Sequence, residues 1–116
     1  MGELATEDLP TEDGGEPRRL AALPLIAVDG QLVRLATTLR ARLVGLAFTD
    51  RAGAGAGLLI PGCRSIHTFG MRFALDVAFL DAEGAVISRR RGVPPRRVVA
   101  DRRASAVLEA PATGSG

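Results

Sequence analysis

The chain has 116 residues, with 15 Arg, no Lys and 13 acidic residues, enough for one domain around one core. Six of the acids fall in the first 17 positions, which hold no basic residue, so an overall formal charge of +2 hides an acidic tail joined to a basic body. A single Cys excludes an intramolecular disulfide, no apolar run approaches the ~20 residues of a membrane span, and acids stand where a signal peptide needs bases, so a cytoplasmic location and no membrane contact are expected.

Residues 1–19 are polar, acidic and Gly-bearing, with too little apolar content to offset the entropy of ordering them, and read as a disordered tail. The domain proper is expected over 20–110. Residues 24–28 and 31–35 have the form of two short strands joined by Asp29-Gly30, a common tight-turn dipeptide. Thr37 or Thr38 can cap a helix over about 37–46, whose Leu39, Leu43 and Leu46 would pack on a sheet while Arg40 points away. Residues 53–57 alternate Gly and Ala and read as a loop; no Lys-Ser or Lys-Thr follows to make it a phosphate-binding loop. Leu58-Leu59-Ile60 is a short buried strand stopped by Pro61-Gly62.

The stretch from Ile66 to Asp81 holds the chain's one His and three of its four Phe. Its second half reads as a strand buried on both faces, with Phe73, Leu75, Val77 and Phe79 on one side and Ala74, Ala78 and Leu80 on the other. Asp76 interrupts that pattern, and a charge there is costly unless paired. It is therefore expected to be buried, ionised and held by backbone N–H groups of the loop before it or by the guanidinium of Arg42 or Arg72. A turn at 82–84 returns into a strand over 85–89. Residues 90–101, with Pro94-Pro95, read as an exposed basic loop. Residues 104–109 give a last strand, and 111–116 a loose terminus. Several short strands with one helix make a mainly β (α+β) domain, a small antiparallel β-sandwich or partly open barrel and not a βαβ wound sheet.

Arg42-Leu43-Val44-Gly45-Leu46, Gly57-Leu58-Leu59-Ile60-Pro61-Gly62-Cys63, the His-Thr stretch running into Leu75-Asp76-Val77-Ala78-Phe79-Leu80-Asp81, and Val107-Leu108-Glu109 stand in that order. Together they resemble the bacterial and archaeal family called domain of unknown function 192, over roughly residues 25–109. The resemblance implies a jelly-roll-like β-sandwich with a helix, and no activity, because the family has no established one. Members usually continue past the Leu-Glu motif into another strand, and many begin with a secretion signal; neither is expected from this sequence.

Cys63, His67 and Met71 recur every four residues and form a soft set suited to copper(I). An extended segment, however, spreads them over about 13 Å per interval, so no metal is expected there. Cys63, His67 and Asp76 have the residue types of a nucleophile, base and orienter, but no nucleophile elbow accompanies them and a hydrolase ranks third. The leading expectation is a non-enzymatic module, without cofactor, that binds a small ligand or protein partner through a face formed by His67, Thr68, Met71 and Asp76, with Arg42 or Arg72 as anion partner. The alternative is weak nucleic-acid or polyanion binding through Arg89, Arg90, Arg91, Arg96, Arg97, Arg102 and Arg103, seven Arg within 15 residues. No aromatic is interleaved among them for base stacking.

Overall fold

The computed structural model describes residues 20–28, 30–49 and 54–113. The expectation of a disordered tail over 1–19 lies outside that range. Among the described residues eight strands form two sheets: β1 (Leu25–Val28), β2 (Gln31–Leu35), β3 (Leu58–Pro61), β4 (Ser65–His67), β5 (Leu75–Leu80), β6 (Val86–Val93), β7 (Val98–Ala100) and β8 (Ala106–Pro111). The larger sheet runs β1-β2-β3-β8-β5-β6, and β4 pairs with β7 in the smaller. Among the described residues one short helix is bounded, α1 (Leu39–Val44), between β2 and β3. This is the small, mainly β, α+β domain expected from the sequence, with no closed barrel.

The first hairpin forms as read: Val28 pairs with Gln31, and Gly30 takes φ +80, the left-handed conformation that a two-residue turn of this kind demands. Thr38 is the cap of α1, its hydroxyl accepting the Ala41 N–H at 3.0 Å. The helix stops at Gly45, whose N–H makes the last helical bond, to the Ala41 carbonyl at 2.9 Å, and whose φ of +61, a conformation that favours glycine, turns the chain away. β2 and β3 run parallel, with Arg34 opposite Leu58. The crossover through α1 therefore places one βαβ step inside an otherwise antiparallel sheet, a local departure from the antiparallel reading. The expected Leu stripe also fails in part. Leu46 is buried, but Leu43 is 64% exposed, and it is Ala41 that is fully buried. A residue with so small a side chain lets the helix backbone approach the core closely.

The core lies between the inner face of the large sheet and a second layer made of α1 and the β4–β7 pair. Leu58, Ile60, Leu75, Val77, Phe79 and Val107 come from the first layer, and Ala41, Leu46 and Ile66 from the second. β5 is buried on both faces as expected: Leu75, Val77 and Phe79 face the core, while Ala78 and Leu80 are buried on the other side. Residues 90–101 are not one loop. Strand β6 runs on through Arg89, Arg90 and Arg91 to Val93, and β7 begins at Val98, leaving 94–97 as the connection. An edge strand has one side unpaired and so tolerates this charge. The terminus is ordered beyond its expected end: Pro111 is buried and pairs with Leu75, and the Ala112 N–H donates to Ala74 at 2.9 Å. Among the described residues no helix is long and apolar enough to cross a membrane.

Candidate functional site

A cleft of about 280 Å³ opens where α1 and its C-terminal turn meet the end of β3 and strand β4; Arg42, Gly45, Cys63, His67 and Glu109 are among the residues that line it. Arg42 projects from the outer side of α1, and its Nη1 donates to the Pro61 carbonyl, which bridges helix and strand across the mouth. His67 is exposed on β4, its ring 5.8 Å from that of Phe69. The Cys63 thiol donates to the Ser65 carbonyl at 3.0 Å. Leu43, Phe69 and the β7 residue Val98, which pairs with His67, are exposed and give the surrounding surface an apolar character.

The floor is a residue that sequence reasoning passed over. Glu109 on β8 is 3% exposed, and its Oε1 accepts the Leu46 N–H at 3.3 Å. Burial pushes its carboxyl up to about 7 against the partial relief of that one hydrogen bond. Gly45 is what makes room for it: a Cβ at that position would stand 2.8 Å from Oε1. The signal was available. Ala106-Val107-Leu108-Glu109-Ala110 sets one acid in an apolar strand just as Asp76 is set, and the argument applied there applies equally here.

The structure separates the residues expected to share a face. Of these, Arg42 and His67 line the cleft. Thr68 is fully buried and structural: its hydroxyl donates to the Pro94 carbonyl at 2.7 Å and accepts the Arg97 N–H at 2.8 Å, pinning the β6–β7 connection. Met71 sits in the core, so the soft set of Cys63, His67 and Met71 does not converge. Arg72 is exposed and does not line the cleft.

Asp76 lies elsewhere, in a groove on the outer face of the large sheet that it shares with Arg89, Arg91 and Thr113. β6 bulges opposite it, because Leu75 pairs with Val93 but Val77 with Arg90. The Gly92 N–H thrown out of the ladder donates to Asp76 Oδ1 at 2.9 Å, and the Thr113 N–H to Oδ2 at 3.2 Å. Burial pushes this carboxyl up, but these N–H groups, the Thr113 hydroxyl and Arg91 at 4.0 Å outweigh it and hold it below its ordinary value. Asp76 is thus ionised and paired as expected. It is only partly buried, at 20% side-chain exposure, and its partners are the bulge of β6 and the C-terminal segment, which follow it in the chain, rather than the loop before it, Arg42 or Arg72. Cys63, His67 and Asp76 therefore do not face one cavity.

The seven Arg divide among several elements. Arg89 and Arg91 face the outer groove, whereas Arg90 stands 5.9 Å from the centroid of Phe79. Arg96 and Arg97 belong to the connection pinned by Thr68. Arg102 is exposed, and Arg103 is held by Asp101 through two side-chain bonds of 3.0 and 2.7 Å. Those bonds, with one from Ser88, keep the Asp101 carboxyl well below its ordinary range.

No curated protein matches the chain. Two crystal structures share its fold. One is of a proposed transcription regulator from Sinorhizobium meliloti 1021, 22% identical, with a TM-score of 0.62 over 76% of this chain and 77% of that one. The other is of a protein of unknown function from Novosphingobium aromaticivorans DSM 12444, 20% identical, with a TM-score of 0.60 over 76% of this chain and 70% of that one. At these identities the likeness concerns the fold. The model of the DUF192 family, described as "Uncharacterized ACR", matches residues 27–114, which take in β2 to β8, the helix and the cleft, and the chain belongs to that family.

Proposed function

We propose that the cleft between α1, the end of β3 and β4 binds a small polar ligand, and that the domain is a cytoplasmic binding module rather than an enzyme. The observation that carries this reading is the Glu109 carboxyl, buried at the floor of a cleft whose mouth is edged by the Arg42 guanidinium. A buried acid with a single described N–H donor costs folding free energy that packing alone has no reason to spend. Enzyme chemistry lacks comparable support, since Asp76 lies in another groove and the Cys63 thiol is engaged by a carbonyl.

The test is an amide chemical-shift map of the full chain against a library of small carboxylates, phosphates, amines and polyols. Shifts confined to Gly45, Leu46, Gly62 and His67 are expected for at least one class. Shifts clustered instead around Asp76 and Gly92, or none at all, would overturn the reading.

A second reading is weak polyanion binding by Arg89, Arg90, Arg91, Arg96, Arg97 and Arg102, favoured by their exposure on the edge strand β6, the connection that follows it and the turn after β7. The Sinorhizobium protein is described as a regulator, which names a process and not a contact with nucleic acid. Asp101 on Arg103 and Asp76 beside Arg91 reduce the field such a surface could present.

A further inference from the structure

The cleft holds two opposite charges that do not satisfy one another. Among the described residues the Glu109 carboxyl has one hydrogen-bond donor, the Leu46 N–H, and no guanidinium or imidazole paired with it. Arg42 lines the same cleft, but its described hydrogen bond goes to the Pro61 carbonyl, and a guanidinium has five N–H donors. Between the two ends the walls are Val44, Ile60, Ile66 and Cys63. A volume of about 280 Å³ lies at the small end of ligand pockets, below what a nucleotide needs.

Resting on the binding role of this cleft, we propose that its ligand is a small zwitterion with a short aliphatic spacer, the cationic nitrogen at Glu109 and the anionic group at Arg42. A carboxylate buried without a cation is the more costly partner to leave alone, so an ammonium entering the floor recovers more than it would at an exposed acid. An anion without a cationic group reaches Arg42 but leaves Glu109 as it was.

The titratable and charged groups on the elements packed around Glu109 are Arg40 and Arg42 of α1, Cys63, Arg64 and His67 of the segment leading through β4, and Asp76 of the paired strand β5, which lines the groove on the opposite face of the sheet. Since a cation needs the ionised carboxylate and burial holds Glu109 near 7, affinity should be about tenfold tighter near pH 8 than near pH 6.

The experiment titrates the full chain with glycine, β-alanine and γ-aminobutyrate, and with propionate and ethylamine as probes lacking one end, reading the Gly45 and Leu46 amide signals by NMR. Tighter binding of at least one zwitterion than of either one-ended probe is expected. So is a pH dependence that survives His67→Gln and Arg42→Gln, the latter with weakened binding, and disappears in Glu109→Gln. Should Glu109→Gln not fold, the wild-type Glu109 carboxyl carbon signal replaces it: ligand must lower the midpoint of its titration. Propionate or ethylamine binding as tightly as every zwitterion, or a carboxyl midpoint unmoved by ligand, would overturn this inference while leaving the cleft a binding site. If no probe in this set or in the wider library moved the cleft amides, both readings would fall.

Discussion

Two carboxyl groups sit in apolar strands of this small domain, and their surroundings drive them in opposite directions. Asp76 meets the N–H groups freed by a bulge and by the C-terminal segment, and stays ionised. Glu109 meets one N–H at 3.3 Å, and burial dominates. The consequences for stability have opposite sign. The Glu109 pKa is raised from an ordinary 4.5 to about 7, so the folded state keeps a proton that the unfolded chain releases. Stability should therefore be fully present below about 4.5, fall by roughly 3 kcal/mol as the pH rises through 7, and level off above. Urea denaturation across that window checks it, with Glu109→Gln expected to flatten the profile. Asp76, with its pKa depressed, contributes stability above its unfolded value that is lost as the pH falls through the folded one. Because its side chain is 20% exposed, water can replace part of what Asp76→Ala removes, and the expected cost is about 1–2 kcal/mol rather than that of a sealed ion. A loss of several kcal/mol would mean that the site is closed to water.

At the scale of elements, local chemistry was legible wherever a residue's own conformational needs decided the outcome. Gly30 in the hairpin, Thr38 as cap and the doubly buried β5 follow directly from residue type and period. Elements whose placement depends on a partner were not legible. The Leu43 period implies an inward face, but the helix is anchored through Ala41 and Leu46, and only the packed structure shows that. Arg90 and Arg91 read as loop because the adjacent Pro94 and Pro95 argue against a central strand; they continue β6 as an edge strand, where charge is tolerated and discourages pairing with another sheet. Thr68 was assigned to a ligand face, and its neighbours in the chain give no hint that Pro94 and Arg97 fold back onto it. Thr68→Val, similar in shape, would leave the Arg97 N–H and Pro94 carbonyl without that hydroxyl, at a cost of about 2 kcal/mol. Faster amide exchange at Arg97 should accompany the lower denaturation midpoint; unchanged exchange there would remove Thr68 from its pinning role.

For the molecule as a whole, charge is separated along the chain. The first 17 residues carry six acids and the remainder all 15 Arg. A chain beginning at Leu20, which is itself buried, is expected to melt at the temperature of the full one, because the removed composition supports no packed face. Binding of duplex DNA, measured across a salt series, should be weak and fall steeply with salt, and Arg90→Glu with Arg96→Glu should lower it alike for every sequence. Tight binding that discriminates between sequences at physiological salt would instead make the Arg-bearing edge the principal site. The cleft is where the two layers of the fold meet, since its floor comes from β8 of the large sheet and its rim from α1 and β4 of the second layer. The most direct measurement is therefore a titration of the Glu109 carboxyl carbon by NMR in the folded, ligand-free chain. A midpoint near 7 is the predicted result; a midpoint near the ordinary 4.5 would show the carboxyl open to water or paired with a cation, and would contradict the account.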